Sequence, residues 1–510
     1  MRLRSTRRAN VVLIAAYGLL FAFALFLLFD QLDKRPLWGD EAETALLAKN
    51  VLRFGLPKTI DGVNHITVLG NFRDENSAHV WTWAPWLQEY ITAGSFLVFG
   101  ATTWASRAPF AAIAWLSVVL LAYVSYQIYR KHTVALAGAL LLATSEIFLL
   151  HSRQCRYYAI TVFAEILLIY GAYELLANRK RAIWLLAAAL TLQFYTNFVI
   201  AAANVPLLIS VGWFVWKQRE VLRKLVAALV IFLVLATPWL LYAQPWRQSR
   251  ELIREDIASK ALYYFTEWHF HFVPWIFLLL PAIGLFIKKS QSSAGSAITT
   301  RLEEGLSILV PGYFAILLLP PSELRYLLPL LPVGCLLASA WLFRYLPWTG
   351  LAVALVVLQA ISNLAAVATT LGMNRDHNCR LPLIEFIGGL NEDYTNRFAD
   401  VLTFFSKEAH AGQTVWVADP EFPLIFYSSL RVIDARLSPP DSMPDWILPQ
   451  SASGLFVRPL AIPESAKPYY DQVIIPVHDS DRFDSVPEPD VYQYRTTPKR
   501  SEFVLYRKKM

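Results

Sequence analysis

The sequence has few charged residues and few cysteines. Charged residues make up 17% of the 510 residues, whereas 56% are hydrophobic. This balance excludes a soluble domain of this size, because soluble chains carry about 25% charged residues. The three cysteines, Cys155, Cys335 and Cys379, show no metal-ligand spacing and imply no disulfide framework. Free thiols and a Cys155–Cys379 disulfide are the two alternatives.

A glycine-rich phosphate-binding loop is also absent, so the sequence offers no conventional nucleotide site. The net charge is +7, yet the lysines and arginines stand in short clusters between apolar runs. Such clusters orient membrane loops and do not indicate nucleic-acid binding. Many of the apolar runs are long enough to cross a hydrocarbon core of about 30 Å. The composition therefore predicts an α-helical polytopic membrane protein that binds no nucleic acid.

The basic clusters predict the orientation of the chain. Arginines among residues 2–8 precede the first apolar run and keep the N-terminus in the cytoplasm. The segment 83–99 is short, contains Gln88 and Glu89, and begins with two tryptophans and a proline. If it is an interfacial helix, the clusters YRKH, NRKR and KQREVLRK all lie on the cytoplasmic side, as the positive-inside rule requires.

We therefore expect a plasma-membrane (inner-membrane) protein with about eleven transmembrane helices. A membrane module covers residues 1–371, and its first outer loop, 30–106, contains interfacial helices. The expected spans are 11–29, 107–128, 133–150, 158–177, 182–197, 199–216, 225–242, 270–287, 305–320, 325–343 and 348–370.

The tail, residues 372–510, differs in character. Its apolar runs are short, as in TVWVA, RVIDA, QVIIPV and FVLYR, and are typical of strands. The segment 419–429 between the first two runs suits a helix, which indicates a β-α-β unit. We expect a C-terminal extracytoplasmic α/β domain.

An acidic motif follows the first span, in the stretch WGDEAETALLAKNVL. Asp40 with Glu43 three residues later fits a capping box, worth about 1 kcal/mol. Glu41 has no place in that interpretation. A carboxylate beside an apolar cleft can also act as a general base, so capping and catalysis are both open.

Three arginines stand on the predicted outer side, against the positive-inside bias. Arg153 and Arg156 lie in HSRQCRYYAI with Tyr157, and Arg325 lies in PPSELRY. Arginines at span ends can snorkel, and Glu323 with Arg325 can form a surface pair. Their side of the membrane favours recognition of a phosphate or carboxylate instead.

Other polar residues carry weaker signals. Glu146 lies in the outer part of a span and could pair with Arg153. The histidines show no i, i+4 pair typical of a metal site, so we assign no ligand among His65, His79, His269 and His271.

Together these motifs resemble the polytopic membrane glycosyltransferases of the GT-C fold, in particular protein O-mannosyltransferase-like enzymes and bacterial lipid A aminoarabinose transferases. The matching stretches are WGDEAETALLAKNVL, WAPWLQEYITAGSFLVFGATTWASRAPF, HSRQCRYYAI and ELRYLLPLLP. The second stretch usually carries a Pro-Pro pair, whereas this chain has Ala84-Pro85. The resemblance covers roughly residues 10–345.

The resemblance implies an enzyme that transfers a sugar from a polyprenyl-phosphate donor to a glycolipid, polysaccharide or protein acceptor on the outer face. It implies Asp40 as the base, with Glu41 beside it as a supporting group. Some relatives place a divalent metal by these acids and others do not, so we assign no metal and no certain cofactor. The expected donor-phosphate ligands are Arg156, Arg325, Arg153 and Tyr157, and the expected supporting residues are Arg107, Glu89 and Glu323.

A non-enzymatic assembly or sensor protein is one alternative function, and it leaves the outward arginines and acids unexplained. A membrane transporter or lipid flippase is the other alternative. It predicts an inverted repeat and charged residues near mid-membrane. The sequence shows no convincing repeat, and its polar motifs gather at one predicted face. The pattern therefore favours the enzyme.

Overall fold

The fold was analysed in a computed structural model of the chain. It describes residues 2–67, 74–247, 256–282, 296–370, 378–418, 421–435, 443–452, 460–462, 464, 466–478, 486–490, 492–496 and 498–509.

Most of the described chain is helical. The α-helices are Arg2–Phe29, Gly39–Phe54, Leu87–Phe99, Thr103–Tyr129, His132–Thr144, Glu146–Ser152, Tyr158–Leu176, Ala182–Thr196, Phe198–Ala203, Val205–Val215, Arg219–Ala243, Ile257–His271, Trp275–Leu278, Ala297–Leu317, Leu331–Tyr345, Thr349–Ile361, Leu364–Ala368, Pro382–Asn391, Arg397–Glu408 and Phe422–Tyr427. Short 3-10 helices cover Pro245–Arg247, Leu324–Leu330 and Lys467–Tyr469.

Within the described residues, six helical segments are long and apolar enough to cross a membrane, or seven if one bent pair counts as a span. They are Asn10–Phe29, Thr103–Tyr129, Tyr158–Leu176, Phe198–Val215, Arg219–Ala243 and Leu324–Tyr345, and the bent pair is His132–Thr144 with Glu146–Ser152.

The prediction of eleven spans stays a prediction. Helices stand at the expected spans 182–197 and 348–370, but Ala182–Thr196 and Thr349–Ile361 are short. The expected span 270–287 lies partly outside the described residues. The helix Leu87–Phe99 has 13 residues, or about 20 Å at 1.5 Å per residue, which suits an interfacial helix.

Two helices of the bundle form a tight hairpin. The helix Tyr158–Leu176 packs on Ala182–Thr196, and Gly171 lets the two approach closely. A Cβ atom on Gly171 would lie 2.9 Å from the Leu186 Cδ2 atom and 3.1 Å from the Leu186 backbone nitrogen. Small residues at such contacts are typical of membrane helix pairs.

The helix Gly39–Phe54, here called the Asp40 helix, is held by its apolar face. Ala42 and Ala45 are fully buried, and Gly55 ends the helix with φ of 75°. The capping-box prediction is wrong, because Trp38 is the N-cap residue and no side chain caps the helix. Asp40 lies inside the first turn, and its carboxylate points to other partners.

The C-terminal region contains a five-stranded sheet. Its strands are β1 (Thr414–Val417), β2 (Arg431–Asp434), β3 (Trp446–Leu448), β4 (Tyr470–His478) and β5 (Arg500–Lys508). They lie in the order β2-β1-β3-β5-β4, with β1 parallel to both β2 and β3. The helix Phe422–Tyr427 connects β1 to β2, so the expected β-α-β unit is present.

The sheet region is joined to the helical bundle beside the Asp40 helix. The Tyr427 hydroxyl accepts a hydrogen bond from the Leu37 backbone nitrogen at 2.9 Å and lies 2.7 Å from the Thr103 hydroxyl. The Asn64 side chain accepts a bond from the Val432 nitrogen at 2.8 Å. One continuous apolar core includes residues of both regions.

We expect Gly171→Ala to destabilise the protein by about 1–3 kcal/mol, the usual cost of overpacking. Rotation of the Leu186 side chain cannot relieve the clash, since its backbone nitrogen also lies close to the new Cβ. Gly94→Ala is the matched control, because Gly94 is helical with nothing within 4 Å of the built Cβ. Thermal unfolding in detergent measures both, and equal melting temperatures would contradict this packing.

Candidate active site

One carboxylate lies between two arginines from separate parts of the chain. The Oδ2 atom of Asp40 accepts a hydrogen bond from Arg156 at 3.1 Å and another from Arg325 at 3.0 Å. Asp40 keeps 30% of its side-chain surface exposed. The surface formed by these three residues is called the Asp40 face below.

Arg156 is bound along the first turns of the Asp40 helix. Its Nη1 atom lies 3.2 Å from Glu43 Oε2 and 3.1 Å from the Thr44 hydroxyl. Arg325 is bound more loosely, with its Nη2 atom 3.3 Å from Glu323 Oε1. Among the described residues, the Nε atoms of Arg156 and Arg325 have no hydrogen-bond partner. Each arginine therefore keeps one buried N–H donor outside the hydrogen bonds of the Asp40 face.

Two tyrosines border the arginines. The Tyr158 hydroxyl lies 3.4 Å from Arg325 Nη1, and the Tyr157 ring lies beside Arg156, 5.8 Å from its guanidinium carbon. Tyr157 is held by a bond from its backbone nitrogen to Gln88 and by one from Asn197 to its hydroxyl. Of these two tyrosines, only Tyr157 was expected as a phosphate ligand, because the sequence does not show which of two adjacent tyrosines points to the site.

Glu41 faces away from the Asp40 face and is fully buried. Its two carboxylate oxygens bind Arg107 Nε and Nη2 at 2.8 and 2.6 Å. The backbone nitrogen of Cys155 also donates to Glu41 at 2.8 Å. Glu41 therefore ties the Asp40 helix to the turn that carries Arg156.

Arg107 has no donor left for a substrate. Besides the two bonds to Glu41, it donates to the carbonyl oxygens of Leu32, Arg35 and Pro36 at 2.9, 2.9 and 3.2 Å. These five bonds use all five N–H groups of a guanidinium. The supporting role expected for Arg107 thus becomes, in this geometry, the fixing of the segment before the Asp40 helix.

Two more carboxyl groups lie buried behind the Asp40 face. Burial raises the pKa of Glu43 to about 8, although the charge of Arg156 opposes the shift. Burial also raises the pKa of Glu89 to about 7, and the Gln88 amide opposes it with a bond of 2.9 Å. Within the described chain, Glu43 Oε1 and Glu89 Oε2 have no hydrogen-bond partner. Glu89 therefore lies behind the site and does not line its surface.

Arg153, expected as a phosphate ligand, is not brought together with Arg156 and Arg325 at the Asp40 face. Its Nη1 and Nη2 atoms donate to the carbonyl oxygens of Leu27 and Asp30, at 2.6 and 2.7 Å. These carbonyls lie at the end of the first helix, where a cation is favoured by the helix dipole.

Glu146 is paired differently from the sequence expectation. It binds Arg380 at 3.0 Å and accepts a bond from the Tyr494 hydroxyl at 2.7 Å. Both partners lie in the C-terminal region, far from Glu146 in sequence, so local spacing could not reveal them. All three cysteines are free, which confirms the free-thiol alternative.

The fold has known counterparts. The apo structure of ArnT from Cupriavidus metallidurans aligns with a TM-score of 0.55 and 14% identity, over 83% of this chain and 84% of that one. ArnT from the same organism bound to undecaprenyl phosphate aligns with a TM-score of 0.59 and 12% identity, over 96% and 97%. At such identities the similarity defines the fold, which is that of the GT-C glycosyltransferases.

Residues 84–242 match the family of dolichyl-phosphate-mannose-protein mannosyltransferases. This match and the fold confirm the resemblance predicted from the motifs. The matched region contains Arg107 and Arg156 and ends before Arg325. No curated protein sequence matches the chain.

We expect Arg107→Met to destabilise the protein by about 3–5 kcal/mol, because it leaves Glu41 buried and unpaired. Adding Glu41→Gln should recover part of the loss, since the remaining group is neutral. Lys467→Met is the control, because its pair with Glu464 is on the surface. The measurement is the melting temperature of the detergent-purified variants, and similar values for the Arg107 and Lys467 variants would contradict the assigned role.

Proposed function

We propose that the protein transfers a sugar from a polyprenyl-phosphate donor to an acceptor hydroxyl or amine at the Asp40 face. The observation that carries the proposal is the Asp40 carboxylate between Arg156 and Arg325, at 3.1 and 3.0 Å. Two cations can hold the donor phosphate, and a carboxylate in contact with them can accept a proton. The fold and the family match agree with this chemistry.

The reaction needs charge stabilisation on one side and a base on the other. The acceptor attacks the anomeric carbon, the bond from that carbon to the phosphate oxygen breaks, and Asp40 takes the acceptor proton. Negative charge grows on the leaving phosphate, where Arg156 and Arg325 stabilise it most in the transition state. Glu323 contacts Arg325 at 3.3 Å and orients it.

Donor binding also prepares the base. In the structure Asp40 Oδ2 is engaged by both guanidinium groups. A phosphate that draws these donors to itself competes with Asp40 for them. The carboxylate then has a lone pair available for the acceptor proton, so deprotonation is coupled to the presence of the donor.

The distribution of basic residues supports the side of the membrane on which the Asp40 face lies, and the family resemblance supports the classes of donor sugar and acceptor. The positive-inside pattern supports an extracytoplasmic Asp40 face, with the C-terminal α/β region on the same side and the N-terminus in the cytoplasm. The contacts of Tyr427 and Asn64 support a C-terminal region that braces the first outer loop. The transferred sugar is a hexosyl or pentosyl group, and its acceptor is a glycolipid, polysaccharide or protein.

We expect Asp40→Asn to lower the transfer rate about 10²–10⁴-fold, the usual contribution of a general base. Asp33→Asn is the control, since it makes the same change at an exposed position of the same loop. The measurement compares the glycolipids, glycans and glycoproteins of a deletion strain by mass spectrometry after complementation with each variant.

The deletion should remove one sugar from one class of molecule, and Asp33→Asn should restore it. Restoration by Asp40→Asn at the wild-type rate would exclude Asp40 as the base. A deletion without any change in glycans would argue against glycosyl transfer altogether.

A further inference from the structure

Two histidines and a glutamate converge in the first loop, apart from the Asp40 face. His65 Nε2 lies 3.2 Å from Glu75 Oε1, and His79 Nδ1 lies 3.1 Å from the same oxygen. One ligand atom from each residue lies within 4.8 Å of the other two. We propose that His65, Glu75 and His79 bind a divalent transition metal of the Zn²⁺ type, in a site that locks the loop.

The spacing of the three atoms fits such an ion. Zn²⁺ binds imidazole nitrogen and carboxylate oxygen at about 2.0–2.2 Å, so neighbouring ligand atoms of a tetrahedron stand about 3.3–3.5 Å apart. The separations of 3.2 and 3.1 Å from Glu75 Oε1 are close to that edge. Two imidazoles and one carboxylate suit Zn²⁺ and other divalent first-row transition metals, whereas Mg²⁺ and Ca²⁺ prefer oxygen ligands.

The carboxylate is oriented as a metal ligand would be. The Thr59 hydroxyl donates to Glu75 Oε2. His65 Nε2 lies between the two carboxylate oxygens, 3.2 Å from Oε1 and 3.1 Å from Oε2, and His79 Nδ1 lies 3.1 Å from Oε1. Hydrogen bonds of this kind commonly fix ligand carboxylates. The side chain of Glu75 is only 3% exposed, and its ion-pair partners within the described residues are the two histidines, which carry charge only when protonated. A bound cation would neutralise that buried charge.

The backbone at His79 adopts an energetically unfavourable conformation. A metal ion bound to the His79 ring would offset that cost. His79 has φ of 55°, a left-handed conformation that disfavours most side chains. This turn brings its ring back over Glu75, with the ring centroids of His65 and His79 5.7 Å apart. The His79 side chain is 49% exposed, so water can supply a fourth ligand from the open side.

The ion would close a loop that supports the Asp40 helix. The Asn50 side chain of that helix donates to the Lys58 carbonyl at 2.6 Å. Thr59 donates its backbone N–H to the His79 carbonyl at 2.9 Å. Asn64, next to His65, binds β2 through Val432. A metal at His65, Glu75 and His79 therefore links three points of a loop that lies between the Asp40 helix and the sheet.

The test is a Zn²⁺ content measurement on full-length protein in detergent. Wild type, His79→Asn, His65→Asn and the control His410→Asn are loaded with Zn²⁺ alone, passed through gel filtration and analysed by mass spectrometry for metal. Asparagine tolerates the left-handed backbone at His79, so His79→Asn should fold. His410 is an exposed histidine outside the loop.

We expect the His79 and His65 variants to hold about one ion per chain less than wild type and His410→Asn. The difference is the readout, because Glu267, His271 and Asp490 form a second group that could retain an ion. Zn²⁺ should also raise the melting temperature of wild type more than that of His79→Asn. A wild type that retains no Zn²⁺, or equal Zn²⁺ in wild type and His79→Asn, would overturn the proposal.

Discussion

The buried ion pair between Glu41 and Arg107 is the constraint on which the arrangement of the site depends. Its bonds of 2.8 and 2.6 Å are shielded from water, and Arg107 also holds three carbonyl oxygens of the segment before the Asp40 helix. Glu41 accepts a further bond from Cys155, next to Arg156 in sequence. One pair therefore fixes the start of the helix and the turn with the first phosphate-binding candidate. Breaking a buried pair leaves an uncompensated charge, which makes this arrangement costly to change.

Asp40 and Glu41 are adjacent in sequence but have separate tasks. Successive residues of a helix point about 100° apart, so one carboxylate can face the core while the other faces the surface. Glu41 is fully buried, whereas Asp40 keeps 30% of its side-chain surface. The proposed base is thus positioned by its neighbour without sharing its environment.

The sequence predicts the helices and the site motifs because a membrane-spanning helix needs a long apolar run and because charged residues mark the side of the membrane on which a loop lies. The expected spans 11–29, 107–128, 158–177 and 225–242 coincide closely with helices. Asp40, Arg156 and Arg325 were brought together by their common predicted side, and the structure places them within hydrogen-bond distance.

The sequence predictions that the structure does not bear out concern the direction of side chains, or partners that lie far apart in the chain. Arg153 and Arg156 lie in one turn, but one guanidinium turns to the end of the first helix and the other to Asp40. Asp40 and Glu43 fit the capping-box pattern in the sequence, yet the N-cap residue is Trp38, two residues earlier. Both carboxylates bind Arg156 instead. The His65, Glu75 and His79 group was not predicted, because the spacing of the histidines does not include Glu75 and no sequence pattern shows the left-handed backbone at His79.

The central claim is that Arg156 and Arg325 hold the donor phosphate while Asp40 competes for them. The most direct measurement is the affinity of the purified protein for undecaprenyl phosphate, in wild type, Asp40→Asn, Arg156→Met and Arg325→Met. The account predicts weaker binding for both arginine variants, and binding at least as tight as wild type for Asp40→Asn. Unchanged affinity in both arginine variants, or lost affinity in Asp40→Asn, would contradict it.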